Sequence, residues 1–213
     1  MAESFHRTIF LPGPVGRLEA LLWTVSGDPA EVALVCHPHP LFGGTLHNKV
    51  VYHAARVLHE AGMPVLRFNF RGAGLSEGEH DKGRGEKDDV HAALDYLTET
   101  FPAKPILLAG FSFGSWVGLD VACEDKRVSR LIGLGLPVNQ SDVGYLDKCR
   151  KPKLFVQGSE DQYGSPKRLR ELFKKWPEPK KLVVIEGADH FFASGPGSLD
   201  GLDQLDDAIR SWL

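Results

Sequence analysis

The chain has 213 residues, 42% hydrophobic and 25% charged, with a net charge of -3 at pH 7. That is the composition of one globular domain spanning 1–213, long enough to bury its own core. No run approaches the roughly 20 apolar residues of a membrane span, and the mild negative charge offers nothing to nucleic acid or an anionic membrane. Cys36, Cys123 and Cys149 are odd in number and far apart, which excludes a disulfide framework and a cysteine metal site. Residues Met1 to Arg7 lack the charged-then-apolar layout of a secretion signal, so a reducing cytoplasm is the expected location.

Arg17 to Val25 alternates loosely and predicts an early antiparallel strand. Glu31 to Cys36 is continuously apolar, as in a strand covered on both faces. His47 to Ala61 has helical spacing, with Val51, Ala54, Ala55 and Leu58 on one side and Gly62 as a stop. Pro64 to Phe70 predicts a strand, the Gly-rich stretch from Gly72 to Gly85 a surface loop, and Gly85 to Thr100 a helix. Ile106 to Phe111 predicts a strand and Ser115 to Ala122 a helix. Further strands are expected at Leu131–Leu136, Leu154–Gln157 and Leu182–Ile185, with helices at Pro166–Trp176 and Leu199–Leu213. This alternation predicts an α/β fold: a doubly wound, mostly parallel sheet of about seven to eight strands with helices on both faces. Ligands in such folds sit beyond the carboxyl ends of the strands.

Between the strand at Ile106 and the helix at Ser115 stands Gly110-Phe111-Ser112-Phe113-Gly114. Strand, G-x-S-x-G, helix is the setting of a nucleophile elbow, where a sharp turn lifts the serine hydroxyl clear of the sheet. The bland alternative is a Gly-rich connection that merely packs closely. Ser112 needs a general base. His190, directly after the last strand, is the best placed of the nine histidines. That histidine needs an acid to fix its tautomer. Asp161 follows the strand ending at Gln157, with Glu160 as the alternative and a plain turn as the bland reading.

Two backbone N–H groups must face the developing oxyanion. One is expected from Phe113. The other should come from the loop His37-Pro38-His39-Pro40-Leu41. Proline carries no N–H, which leaves His39 and Leu41, with Leu41 favoured for its place facing the elbow. His37 and His39, with His47 and His53 nearby, form no metal set, because no carboxylate or cysteine stands at ligand spacing. Neither metal nor cofactor is expected, and His37 reads as a structural residue beneath its loop. Arg71, at the next strand end, reads as a brace between loops.

The H-P-H-P loop at His37–Pro40, the R-G-x-G-x-S turn at Arg71–Ser76 and the G-F-S-F-G elbow together resemble the α/β-hydrolase superfamily. The likeness is greatest to small bacterial single-domain enzymes near the dienelactone hydrolases and small carboxylesterases. It spans nearly the whole chain and implies a serine hydrolase acting on esters. Asn69 departs from the Asp common in relatives, a difference expected to affect packing. Lids in this superfamily follow the strand after the elbow helix. Only Pro137 to Pro152 is available there, too little for a cap domain. An open site with a short-chain acyl pocket follows, walled by Phe42, Phe111, Phe113, Val138, Tyr145, Tyr163 and Phe191. The expected partner is a small-molecule ester, and the chain is expected as a monomer or homodimer. Thioester or peptide hydrolysis with the same residues is the alternative, and a non-catalytic binding protein on a hydrolase fold is the rival from another class.

Overall fold

The computed structural model describes residues 6–195 and 200–213. Eight strands form one sheet in the order β1-β2-β4-β3-β5-β6-β7-β8. They are β1 (His6–Gly13), β2 (Gly16–Trp23), β3 (Val32–Cys36), β4 (Val65–Phe68), β5 (Ile106–Phe111), β6 (Val128–Leu134), β7 (Lys153–Gly158) and β8 (Lys180–Ile185). The helices are α1 (Lys49–Glu60), α2 (Arg84–Thr100), α3 (Phe113–Glu124), α4 (Pro166–Phe173) and α5 (Asp200–Arg210). Leu199, where the sequence places the start of the closing helix, lies outside the described residues.

Strands β3 to β8 run parallel, while β2 pairs antiparallel with both β1 and β4. Every residue of β3 is buried, which explains its continuous apolar run. Helices α1 and α5 cover one face, through residues such as Val51, Leu58, Leu202 and Ile209. Helices α2, α3 and α4 cover the other, through Val90, Leu94, Val117 and Leu169. Each fully buried branched side chain contributes roughly 1.5–3 kcal/mol relative to exposure.

The strand β1 has no counterpart in the sequence reading. It is an edge strand with Leu11 as its one buried residue, so its apolar side is too sparse to register as a pattern. Elsewhere the differences are at element ends. Helix α1 begins two residues late because the Asn48 side chain accepts the Val50 N–H and caps it. Strand β4 stops before Asn69, whose side chain turns to other work. Its Oδ1 accepts the Leu46 N–H at 2.7 Å and its Nδ2 donates to Glu19 at 2.6 Å. Between β6 and β7 the chain makes one 3-10 turn, Gly144–Asp147, and carries no lid.

Parallel register brings Cys36, Gly110 and Phe111, Leu134, Gly158 and Ile185 to one edge of the sheet. The site is built along that edge.

Candidate active site

Ser112 sits at φ 53°, ψ -118° between β5 and α3, a left-handed conformation that a non-glycine residue adopts only under constraint. Its N–H donates to the Leu134 carbonyl at 2.9 Å. A Cβ on Gly110 would strike the Gly114 carbonyl, and a Cβ on Gly114 would strike the carbonyls of Cys36 and His37. The glycines on either side of the serine therefore let the turn close against itself and against β3.

His190 Nε2 lies 2.8 Å from Ser112 Oγ, and its Nδ1 lies 2.7 Å from Asp161 Oδ2. An ionised carboxylate only accepts, so Nδ1 carries the proton and Nε2 faces the serine hydroxyl as an acceptor. Asp161 Oδ1 accepts the N–H groups of Tyr163 at 2.8 Å and Gly164 at 2.9 Å. Asp161 is therefore the acid that reaches His190. Glu160 has no bond to that histidine, and its N–H donates to Ala188. The imidazole is buried among aromatic rings, with Phe111 5.1 Å, Tyr163 4.7 Å and Phe191 5.4 Å away between centroids.

Two contributors to this arrangement escaped sequence reasoning. Gln157 is fully buried and its Nε2 donates to Asp161 Oδ2 at 2.6 Å and to the Gly164 carbonyl at 2.9 Å. Its Oε1 accepts the Leu136 N–H at 3.0 Å. Gly135, at φ 53°, leaves room for the histidine: a Cβ there would sit 3.2 Å from His190 Cε1. A glutamine inside an apolar strand was the available signal for the first; nothing local marks the second.

The expected oxyanion donors fare differently. Phe113 is the first residue of α3, where N–H groups have no intrahelical acceptor. In the H-P-H-P loop the preference for Leu41 is corrected. Its N–H is already donated to His39 Nδ1 at 3.2 Å, and its side chain is 69% exposed, away from the cleft. The N–H of His39 has no acceptor among the described residues. The geometry leaves His39 as the available donor. His37 is neutral and buried. Its Nδ1 donates to the Pro38 carbonyl at 2.6 Å and its Nε2 accepts the Phe70 N–H at 2.9 Å. Burial pulls its pKa from 6.5 to about 4. Arg71 braces the next loop by pairing with buried Asp89 of α2 at 2.8 Å.

Ser112 and His190 open onto a cleft of about 460 Å³. Phe42, Phe113, Tyr163 and Phe191 line it, as expected. Three expected wall residues do not. Phe111 lies fully buried under the His190 ring. Val138 faces a second, smaller cavity beside Leu172 and Trp176. The Tyr145 hydroxyl donates to the Trp116 carbonyl at 3.0 Å, which makes it a brace behind the wall. Trp116, His80 and Lys82 line the cleft instead. Trp116 reads in sequence as one more apolar residue of α3, and the stretch 72–85 as passive loop.

A hydroxyl at a strained strand-to-helix turn, on the carboxyl edge of a parallel sheet, is the architecture of a hydrolase of the α/β class. The chain belongs to the alpha/beta hydrolase domain family, whose model matches residues 39–210. It is 37% identical over 193 residues to an uncharacterised protein of Rickettsia prowazekii, covering 86% of this chain and 81% of that one. Among solved structures, it resembles an alpha-beta serine hydrolase homologue from Coxiella burnetii, with TM-score 0.88, 35% identity and 96% of each chain covered. It also resembles a Xanthomonas campestris protein described as an a/b serine hydrolase without lid. That match has TM-score 0.85 and 33% identity over 100% of this chain and 97% of the other. No helix among the described residues is long and apolar enough to cross a membrane.

Proposed function

We propose that the protein is a serine hydrolase that cleaves short-chain carboxylic esters through an acyl-enzyme. The carrying observation is the continuous hydrogen-bonded line from Ser112 Oγ through His190 to Asp161, at 2.8 and 2.7 Å. In this reading His190 Nε2 takes the Ser112 proton as the hydroxyl attacks the ester carbonyl. Asp161 stabilises the imidazolium that forms. The N–H groups of Phe113 and His39 hold the oxyanion, and the positive end of α3 adds to their field. The alcohol leaves with the proton from His190, and water hydrolyses the acyl-enzyme by the same route. The lidless serine hydrolase of Xanthomonas campestris supports this chemistry by its likeness. The preference for short chains rests on the open cleft, which excludes water poorly and grips a long chain weakly. The three cysteines are free of disulfides, which suits action in a reducing cytoplasm.

A fluorophosphonate probe tests the nucleophile. Stoichiometric labelling of the wild type and none of Ser112→Ala is expected, together with a loss on the order of 10⁴–10⁶ in kcat. Hydrolysis largely retained in Ser112→Ala would sink the assignment. Faster turnover of a twelve-carbon than a four-carbon p-nitrophenyl ester would sink the short-chain preference.

A further inference from the structure

We infer that the ester this site takes carries a carboxylate, seated against Lys82. The inference rests on the ester-hydrolase reading above and names a substrate class within it.

The two flanks of the cleft differ in chemistry. Beside His190 stand the rings of Tyr163 and Phe191. Beside Phe113 stand two imidazoles, His39 at 4.9 Å and His80 at 5.6 Å, themselves 4.6 Å apart. Lys82 lines the cleft with them. Among the described residues that line it there is no Asp or Glu. Burial and the neighbouring His80 hold His39 below its ordinary pKa, His80 stands 2.7 Å from the buried Glu86 carboxylate, and Lys82 is the one lysine or arginine among the described residues that line the cleft.

The backbone of Lys82 is also held in place, with its side chain exposed. It sits at φ 54°, one of four non-glycine residues with left-handed backbone among those described, a conformation a lysine keeps only where its surroundings hold it. The buried Glu86 carboxylate grips the chain on both sides of it. One oxygen accepts the Asp81 N–H and the other the Gly83 N–H, each at 2.8 Å. Gly83 is pressed so closely on Trp116 that a Cβ would lie 2.7 Å from the indole ring. The strained turn is thereby docked onto the cleft wall.

What the turn presents is an ammonium with no carboxylate partner among the described residues. The nearest acid in sequence, Asp81, is occupied by Arg84 at 3.0 Å and the Gly85 N–H at 3.1 Å. Lys87 and Lys104, by contrast, pair with Asp120 and Asp28 at 2.5 and 2.6 Å. An exposed cation on a pinned backbone, without an ion-pair partner among the described residues and beside a cleft lined by aromatic and uncharged polar side chains, selects an anion on an apolar body.

The test compares matched esters that differ in one carboxylate. On the acyl arm these are p-nitrophenyl hydrogen glutarate and p-nitrophenyl valerate. On the alcohol arm they are p-acetoxybenzoate and p-methylphenyl acetate. The readout is the ratio of charged to neutral kcat/KM, wild type against Lys82→Asn. Asparagine tolerates the left-handed backbone while removing the charge, and intrinsic ester reactivity cancels in the comparison. On at least one arm the ratio should fall about tenfold in Lys82→Asn, persist in Lys82→Arg and shrink in high salt. Neutral esters cleaved with both ratios unmoved by Lys82→Asn overturn the inference alone. Charged and neutral esters alike left intact by the wild type overturn the ester reading, and the inference falls with it.

Discussion

Asp161 divides its two carboxylate oxygens, giving Oδ2 to His190 at 2.7 Å and Oδ1 to the N–H groups of Tyr163 and Gly164. The acid is thus oriented by its own loop before it orients the histidine. In Asp161→Asn the amide oxygen would keep the two backbone N–H groups and turn the NH₂ toward His190. Nδ1 would then have to accept, moving the proton to Nε2, where it faces Ser112 and blocks proton abstraction. A fall of about 10⁴ in kcat is expected, with a lower thermal midpoint because the new NH₂ also faces the Gln157 Nε2 donor. Activity within tenfold of wild type would show that the tautomer is set elsewhere.

Gln157 acts through Asp161, as a positioning residue. Gln157→Leu removes a donor to the carboxylate and leaves the Leu136 N–H without its acceptor. A carboxylate with one donor fewer is more basic and stabilises the imidazolium of His190 further. The acid limb of the kcat/KM–pH profile should therefore move to higher pH as kcat falls. A purely structural role would lower stability and leave that limb where it was.

The neutral His37 links stability to pH. Its pKa is about 4 in the fold against 6.5 in its ordinary state. Between those values the unfolded chain binds a proton that the folded chain refuses. The His37 contribution is therefore complete above pH 6.5 and is lost as pH falls toward 4, by about 3 kcal/mol in all. Urea titrations of wild type and His37→Gln across this range measure it. Their difference in unfolding free energy should narrow on acidification; a constant gap would show that His37 does not titrate between the two states.

Gly114 carries a steric prediction. A Cβ there meets backbone carbonyls of Cys36 and His37, which cannot swing aside as a side chain would. Gly114→Ala should cost about 3 kcal/mol or leave the chain unfolded, read by urea midpoint or by far-UV circular dichroism. Gly62→Ala is the control. It has positive φ but open space around it, so it should cost about 1 kcal/mol. Gly114 lies in α3 without positive φ, so a loss there no larger than at Gly62 would mean that the close approach to β3 is relieved by a local shift.

The alternating fold, the elbow at Ser112 and the absence of a lid between Pro137 and Pro152 were legible in the chain, because each depends on local pattern or on length. So was the order of Ser112, Asp161 and His190 at the ends of three strands, and the fold brings these three into hydrogen-bond reach. What the sequence could not decide was direction. Sequence favours Leu41 over His39 for its place facing the elbow, and only the His39 ring folding back onto the Leu41 N–H reverses that order. Phe111, Val138 and Tyr145 are as apolar or aromatic as Phe42 and Phe191, yet they face the core, a second cavity and the back of the wall. The edge strand β1 exists because β2 offers it a ladder, not because its own residues demand burial. Lys82 reads as a solvated charge in a loop until Glu86 and Trp116 pin that loop to the cleft. In every such case the deciding contact joins segments distant in the chain or turns on one rotamer, and neither is encoded in the spacing of residue types.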